Sequence, residues 1–557
     1  VTPVHTLMGM KELKPHEELM QEGILVEYDD SKGNAMFVSH QWAGAEHPDP
    51  NFEQFTVLQD ALRNAMSGTS LISGNISIEL YTGQQVCVSA KDLTSKALYI
   101  WYDFFSCPQS SARAHDRQLA ISSIPAYVDR CQFFVILCPH VRHAKHQLLL
   151  NKRSWESRGW CRLERVAREL STRADTGVSI EIQGATHQSQ AAAFGWVQAP
   201  VGTGSFTVPS DKEKIAQVLQ RMVRKKLHYY LVRGDLHSYR LMLNIQRVHY
   251  KDLHINPIEG LVPGFVSESH DPAVYAAESF MFQNGFNSIN QRTAEGWTPI
   301  CFAAVDGSPM LISALLEQRA DVNDRMKQRE PASQFGQDTP LLHMCAFLTN
   351  NEALRVLISS RADVAARDGF GATALVWAAF SNNVEGIKAL WAAGCDPAAV
   401  NMLGYSPFRV ASAVGRVDAM NELLPHTSKE EINLALHAAM LQGGGSAEVM
   451  STLLRVGAEV DFKLNMPLIS PLGIWFGCLS LRHRWKSSLL SSYAYHHYGA
   501  TPLMCSVITG SFEATAVLLA AGARTDLRNL ARCCGESWGL NRVRVPVFRL
   551  GVKVCPY

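Results

Sequence analysis

Residues 155–164 carry the side chains of this sequence that are best suited to chemistry, because a carboxylate follows two tryptophans there. An apolar stripe at helical spacing predicts a helix that begins near Trp160; its members are Leu163, Val166, Ala167 and Leu170. Glu164 then lies in the first turn of that helix, behind Trp160. A carboxylate in this position, near strand ends, is expected to have a raised pKa or to engage a ligand. The alternative is an exposed ion pair between Glu164 and Arg168.

Other groups of reactive or charged side chains are weaker candidates. His140, His143 and His146 recur at every third residue, as metal ligands on one side of a helix would. No Cys or carboxylate stands in register with them, so we expect a solvated loop and no metal site. Cys107 has no identifiable base and is predicted to be structural. The cations within residues 221–226 are the solvated side of an amphipathic helix, so they do not indicate a nucleic-acid site.

The elements predicted around Glu164 alternate between strand and helix. Short apolar runs predict four strands, at residues 35–38, 97–102, 132–137 and 178–182, and amphipathic patterns predict helices at 55–66 and 117–130. Such alternation is typical of βαβ units wound around a parallel sheet. Ligands of these sheets bind at the carboxyl ends of the strands. Three pieces of sequence stand at those ends: Ser39-His40, Asp103 and Pro139-His140.

The motifs of this region resemble those of TIR domains. Phe37-Val38-Ser39 is similar to the TIR opening strand, and SRGWCRLE at residues 157–164 is similar to a motif of the plant branch. This region also resembles the TIR-related heterokaryon-incompatibility domain in two stretches, VSHQWAG at 38–44 and WYD at 101–103. Ser106 stands where that domain has Cys. The resemblance covers roughly residues 33–210 and implies a flavodoxin-like α/β fold with a parallel sheet.

This resemblance implies a reaction as well as a fold. Many TIR domains cleave the nicotinamide–ribose bond of NAD with a glutamate, and Glu164 matches its position. By that match, Glu164 stabilises an oxocarbenium-like ribose, as carboxylates do in glycoside cleavage. Trp160 would wall the NAD pocket, and Ser39 and Asp103 would line it, with NAD as a substrate and no resident cofactor. Other relatives are adaptors without chemistry, so docking is the alternative role.

The second half of the chain repeats one structural unit, which is clearest at residues 369–396. The unit holds two short apolar helices, predicted at 372–380 and 384–393, that a polar turn joins. A helix-opening Thr or Ser recurs after 41, 34 and 33 residues, and then again further on: Thr298, Thr339, Thr373, Ser406 and Thr501. One such unit cannot bury its apolar face alone, but stacked copies can.

A period of about 33 residues with Thr-Pro opening the first helix resembles the ankyrin repeat. Thr caps the helix while Pro takes the first helical position. The resemblance covers roughly residues 290–526 and implies an all-α solenoid that binds a protein partner on its concave face. Insertions at 325–335 and 463–499 interrupt the period. The second is rich in aromatic residues, and we expect either a docking surface or an extra helix packed on the array.

Length and composition set the outer bounds. The 557 residues predict several domains: an extension at 1–32, a TIR-like domain at 33–210, a helical connector at 211–285, ankyrin repeats at 286–526 and an irregular tail at 527–557. With 52 basic and 51 acidic residues, the net charge of +1 indicates no nucleic-acid partner. The 13 cysteines form no CxxC pair, which favours free thiols and a cytoplasmic, intracellular location. No apolar run is long enough to span a membrane. Because the chain begins with Val1, we expect a truncated N-terminus.

Two functions from different classes follow. The first is a signalling scaffold, in which the array binds a protein and the TIR-like domain docks partners, including copies of itself. The second is an NAD hydrolase that the array regulates. The first leaves Glu164 dispensable, and the second requires it.

Overall fold

The computed structural model describes residues 1–74, 76, 79, 87–173, 178–191, 195–328, 335–441, 445–467, 469–486 and 488–529. The chain divides into two compact units, Val1–Pro263 and Gly264–Tyr557. Most of the predicted tail at 527–557 and the middle of the first predicted insertion lie outside the described residues.

The first unit is built around a sheet. Its described strands are β1 (Thr2–Pro3), β2 (Asn34–His40), β3 (Ile72–Ser73), β4 (Cys87–Val88), β5 (Leu98–Tyr102), β6 (Phe133–Leu137), β7 (Val141–Arg142), β8 (Leu149–Leu150), β9 (Val178–Gly184) and β10 (His187–Gln190). The large sheet has the order β1-β5-β2-β6-β9-β10-β3-β4, while β7 and β8 form a separate ribbon. The four strands predicted from the sequence are β2, β5, β6 and β9.

The sheet is parallel at its centre and mixed at its margins. β2 pairs in parallel with β5 and β6, and β6 pairs in parallel with β9. However, β1 is antiparallel to β5, and β10 is antiparallel to β9. The prediction of a parallel sheet is therefore wrong for the margins. Two residues separate β9 from β10, and a connection this short allows only antiparallel pairing. The sequence predicts no strand at β10, because its residues are polar.

The central strands have buried side chains on both faces, which is why they read as continuous apolar runs. Met36 and Val38 of β2 pack into the core on one face, while Ala35 and Phe37 pack on the other. All five residues of β6 are buried. The predicted extension at 1–32 contributes β1 and places Leu7, Leu13 and Leu19 in the first of these cores.

Helices cover both faces of the sheet and continue after the last strand as far as His249. Their described bounds are Val4–Gly9, His16–Gln21, Glu53–Ser67, Ala90–Thr94, Asp103–Ser106, Ala114–Ser122, Ile124–Arg130, Lys152–Ser157, Gly159–Glu169, Gly195–Gln198, Asp211–Arg233 and Leu236–His249. The last two correspond to the predicted helical connector. Gly234, with φ of 69°, caps the first of them and so separates the pair.

The second unit is a stack of helix pairs. We call them repeats 1 to 6: Pro299–Asp306 with Pro309–Glu317, Leu341–Leu348 with Asn351–Ser359, Ala374–Phe380 with Val384–Ala392, Pro407–Ala413 with Val417–Leu423, Lys429–Leu441 with Ala447–Arg455, and Pro502–Thr509 with Phe512–Ala520. First helices pack on first helices and second helices on second helices along the stack. Helix Pro272–Gln283 packs on the second helix of repeat 1 and covers that end.

The predicted Thr or Ser cap forms at some repeats only. The hydroxyls of Ser406 and Thr501 accept hydrogen bonds from backbone N–H groups three residues on, at 3.1 and 3.4 Å. The hydroxyl of Thr298 instead donates to Asp324, and the hydroxyl of Thr339 donates to the carbonyl of Gly336. The sequence motif thus serves capping at some repeats and turn closure at others.

The second predicted insertion is helical. Helices Pro471–Arg482 and Leu489–His496 pack against each other, and we call them the inserted hairpin. Phe476 and Tyr493 are buried, and the Tyr493 hydroxyl donates to the carbonyl of His437 at 3.4 Å. Repeats 5 and 6 still pack directly on each other, so the hairpin leaves the stack continuous. Among the described helices, none has the length and apolar character needed to cross a membrane.

Candidate functional site

Ser39 and Glu164 meet at the carboxyl end of β2. Ser39 is buried, and its hydroxyl donates a hydrogen bond to Oε2 of Glu164. The indole Nε1 of Trp155 donates to Ser39 Oγ at 2.9 Å. Because an indole N–H can only donate, this contact leaves the Ser39 hydrogen free to point at the carboxylate. Helix Gly159–Glu169 packs against β2 and so holds Glu164 over the strand end.

The neighbouring residue His40 joins Asp103 to the same cluster. His40 Nε2 lies 2.8 Å from Asp103 Oδ1, and Trp42 Nε1 donates to Asp103 Oδ2 at 2.9 Å. The Tyr102 ring stacks on the His40 ring with centroids 4.0 Å apart. The His40 side chain is 2% exposed and that of Asp103 is 36% exposed. The carboxylate of Asp103 is therefore the part of the pair that solvent or a ligand can reach.

The cluster combines a stable ion pair with a carboxyl group that titrates near neutrality. Burial, together with the nearby Asp103 charge, raises the pKa of Glu164 to about 7, against the lowering effect of the Ser39 hydrogen bond. Burial alone would lower the pKa of His40, but the charge and hydrogen bond of Asp103 outweigh it, so the net direction is upward. Burial would raise the pKa of Asp103, but His40 and Trp42 outweigh it and the pKa is lowered.

Replacing Asp103 with Asn is expected to move the His40 pKa from above to below its ordinary value of 6.5, because burial then acts without its counter-charge. Histidine ring NMR of the full chain measures this pKa, with the His40 signal assigned from its loss in His40→Asn.

The ion pair also makes the stability of the fold depend on pH. Since the folded pKa of His40 is raised, the pair stabilises the fold fully below pH 6.5, and this contribution is lost as pH rises through the folded pKa. An unchanged His40 titration in Asp103→Asn would contradict the assigned pair; Asp116→Asn, at an exposed helix, is the control.

The structure brings Ser39, Asp103 and Glu164 into one cluster, and the indole N–H of Trp160 has its hydrogen-bond partner outside that cluster. In the described chain, the Trp160 indole donates to Asp211 at 3.1 Å. The alternative of an exposed Glu164–Arg168 pair is wrong, because Arg168 is buried and donates to the carbonyls of Cys131 and Gln132. Helical spacing placed Glu164 and Arg168 on neighbouring turns, but it could not show which turn faces the sheet.

Two residues of the cluster, His40 and Trp155, are not among the site residues predicted from the sequence. His40 stands at the predicted strand end beside Ser39, so its position was available as a signal. Trp155 lies 116 residues from Ser39 along the chain, and nothing in the sequence pairs the two. Within the described residues, no three His, Cys, Asp or Glu side chains converge in an arrangement suited to a metal ion.

A second candidate surface runs along the loops that join repeats 1 to 4. Neighbouring loops are hydrogen bonded in succession: Asp363 N to Asn323 Oδ1 at 2.8 Å, Gly369 N to Gln337 O at 2.9 Å, and Met402 N to Phe370 O at 2.9 Å. Arg325 and Arg367 each reach the next loop and donate to the carbonyls of Arg367 and Val400. We call the loops that carry these hydrogen-bonded residues the loop ribbon. Two apolar side chains of the ribbon are exposed, Val400 at 45% and Met402 at 52%.

Comparison with known families places ankyrin repeats in the second half of this chain. Residues 271–368 and 342–434 match the family described as ankyrin repeats in three copies. These matches cover repeats 1 to 4 and helix Pro272–Gln283. The prediction of an ankyrin array is therefore confirmed for this region.

Two similar proteins carry related sequence or structure. The E3 ubiquitin-protein ligase KEG of Arabidopsis thaliana is 23% identical over 238 residues, which is 42% of this chain and 13% of that protein. The matched stretch is thus a small part of the relative. The crystal structure of the human ASB11 ankyrin repeat domain is 18% identical, and it covers 47% of this chain and 100% of that one with a TM-score of 0.34.

Proposed function

We propose that this chain is a protein-binding scaffold whose ankyrin array holds a partner on the loop ribbon. The observation that carries the proposal is the continuity of the ribbon. Because each loop is hydrogen bonded to the next, the surface is ordered before a partner arrives, and binding costs less conformational entropy. Stacked-repeat proteins bind other proteins through extended surfaces that run along the array.

The chemistry of the exposed side chains favours the ribbon over the second helices of the repeats. Those helices present ion pairs to solvent, such as Arg355 with Glu352 at 2.6 Å and with Glu385 of the next repeat. Exposed ion pairs of this kind indicate a face of the repeats that stays in contact with solvent. The second helices also expose single apolar side chains, Met310 and Trp391. The ribbon offers Val400 and Met402 two residues apart on one hydrogen-bonded loop, and neighbouring exposed apolar side chains are typical of a contact surface.

The double substitution Val400→Glu and Met402→Glu is expected to weaken partner binding by at least about tenfold, because two carboxylates would be desolvated at the contact. The measurement is recovery of a cross-linked partner from cells, followed by titration of that purified partner. The matched control is Val274→Glu with Met310→Glu, the same residue types at exposed helical positions outside the ribbon. Equal losses in both double variants, or no loss in either, would contradict the proposal.

A second function, in the first unit, is favoured by the bond between Ser39 and Glu164. We propose that the region predicted at 33–210 is a TIR-like domain that cleaves the nicotinamide–ribose bond of NAD. The order of the central parallel strands supports this, since β5, β2, β6 and β9 are second, first, third and fourth along the chain. A flavodoxin-like sheet begins with that order and binds ligands at the carboxyl ends of its strands.

The cluster suggests a role for each side chain in that reaction. Ionised Glu164 faces the positive charge that develops on the ribose as the bond to nicotinamide breaks. Ser39 fixes the carboxylate, and Trp155 fixes Ser39. Water completes the reaction at the ribose carbon, so NAD and water give ADP-ribose, nicotinamide and a proton. Trp160, one turn before Glu164, remains the proposed wall of the pocket.

In this proposal the ankyrin array regulates NAD cleavage. A partner held by the array would bring copies of the chain together, and their TIR-like domains would then self-associate. The residues at 211–285 are then the proposed connector between the two functions.

A further inference from the structure

The inserted hairpin exposes one continuous apolar stripe. Helix Pro471–Arg482 packs against Leu489–His496 on one side, and the opposite side carries Ile474, Cys478 and Leu481. Trp485 extends this line past the end of the helix. The four positions are spaced by 4, 3 and 4 residues, as one face of a helix requires. Exposed fractions are 58% for Ile474, 58% for Leu481 and 82% for Trp485.

The charge of the insertion has a single sign. Residues 463–499 contain four Lys or Arg and no Asp or Glu: Lys463, Arg482, Arg484 and Lys486. Three of the four cations flank Trp485 at the end of the stripe, and Arg484 and Lys486 are exposed. The net charge of the whole chain, +1, hides this local concentration of positive charge.

We propose that the inserted hairpin is a peripheral docking site for an anionic lipid surface. An apolar stripe beside cations is what an interfacial helix presents, because the apolar side chains enter the acyl boundary while the cations remain with the headgroups. Tryptophan is enriched at this boundary, since its ring is amphipathic. Each Lys or Arg near an anionic membrane adds attraction over a Debye length.

Size and charge favour a lipid surface over a protein occupant. A stable protein interface buries about 20–30 residues on each side, whereas this stripe offers four side chains. A lipid surface needs only shallow insertion and charge. The C-terminal segment 530–557 of this chain carries five Lys or Arg and one Glu, so its charge does not complement the hairpin.

Vesicle co-sedimentation of the full chain tests the proposal. Vesicles with about 30 mol % phosphatidylserine in phosphatidylcholine are expected to bind the chain, and vesicles of phosphatidylcholine alone are expected to bind it at least about tenfold more weakly. Trp485→Ser and the double variant Arg484→Glu with Lys486→Glu are each expected to weaken binding to the anionic vesicles about tenfold or more. All three positions are exposed, so the fold is expected to survive, which a thermal melt checks.

Matched controls keep the test specific. Trp391→Ser changes an exposed tryptophan of repeat 3, and Lys91→Glu with Lys96→Glu gives the same charge change on the first unit. Both controls are expected to bind the anionic vesicles as the parent chain does. Binding that persists in both hairpin variants, or that is equal on neutral vesicles, would overturn the proposal. Absence of vesicle binding with capture by polyglutamate would also overturn it, in favour of an acidic protein.

Discussion

Glu164→Gln is expected to reduce NAD cleavage by about 100-fold or more, within the range that removal of a directly acting catalytic group produces. Glutamine keeps the shape of the side chain and a hydrogen bond to Ser39, but it carries no negative charge to face the ribose. The measurement is nicotinamide release by the full chain, concentrated on beads. Glu169→Gln is the matched control, because Glu169 lies on the same helix and burial likewise raises its pKa to about 7.

The pH dependence gives this prediction a second readout. Cleavage by the parent chain is expected to rise as pH increases through about 7, where Glu164 ionises, and then to level off. Glu169→Gln is expected to keep that profile. A Glu164→Gln variant that still turns over NAD, or a parent chain that does not cleave NAD when clustered, would contradict the catalytic role.

As pH rises, the unfolding free energy of the parent chain is expected to fall while its rate of NAD cleavage rises. The folded pKa of Glu164 is about 7 and its ordinary value is 4.5, so the folded state holds the proton more tightly. The unfolding free energy therefore falls as pH rises between these values. Glu164→Gln removes that loss and is expected to stabilise the first unit by about 1–3 kcal/mol at pH 8. Thermal melts of the two chains at pH 5 and pH 8 measure the difference.

Phe335→Ala is expected to destabilise the array by about 3–5 kcal/mol, the usual cost of truncating a buried Phe. Phe335 is fully buried, and its ring centroid lies 6.2 Å from that of Trp297, 5.8 Å from Phe347 and 6.1 Å from Trp377. Trp297 lies just before repeat 1, Phe347 belongs to repeat 2 and Trp377 belongs to repeat 3. The cavity would weaken the interfaces on which a stacked array depends.

Denaturant unfolding followed by tryptophan fluorescence measures this cost. Phe282→Ala is the control, because Phe282 is partly exposed on the helix that covers the end of repeat 1. Its truncation is expected to cost less than about 1 kcal/mol. Equal midpoints for Phe335→Ala and the parent chain would contradict the stabilising role of Phe335 in the array.

Periodicity in the sequence predicted the central strands of the sheet and the helices of the repeats, and local context decided where it failed. The runs that became β2, β5, β6 and β9 are buried on both faces, so their apolar signal is strong. β10 is short and polar, so no apolar run marks it in the sequence, and it pairs with β9 and β3. The single helix predicted at 117–130 is two helices, Ala114–Ser122 and Ile124–Arg130, with Ser123 between them, a break that the apolar pattern does not reveal.

The candidate site was predictable only in part, for a related reason. Ser39 and Glu164 were found because each lies in a short motif with a known resemblance. Their contact depends on packing between β2 and helix Gly159–Glu169, which a spacing of 125 residues does not specify. Trp160 was placed with them by proximity along the helix, but its polar atom finds Asp211 instead. A sequence indicates which face of a helix is apolar more readily than it shows where each polar atom finds a partner.

Site-specific photo-cross-linking shows whether the ankyrin array holds a protein on the loop ribbon. A photoreactive phenylalanine analogue is placed at Met402 in one chain and at Met310 in another, since both positions are exposed. We expect one discrete protein adduct from position 402 in cells and none from position 310. Equal adducts from both positions, or none from position 402, would contradict this expectation.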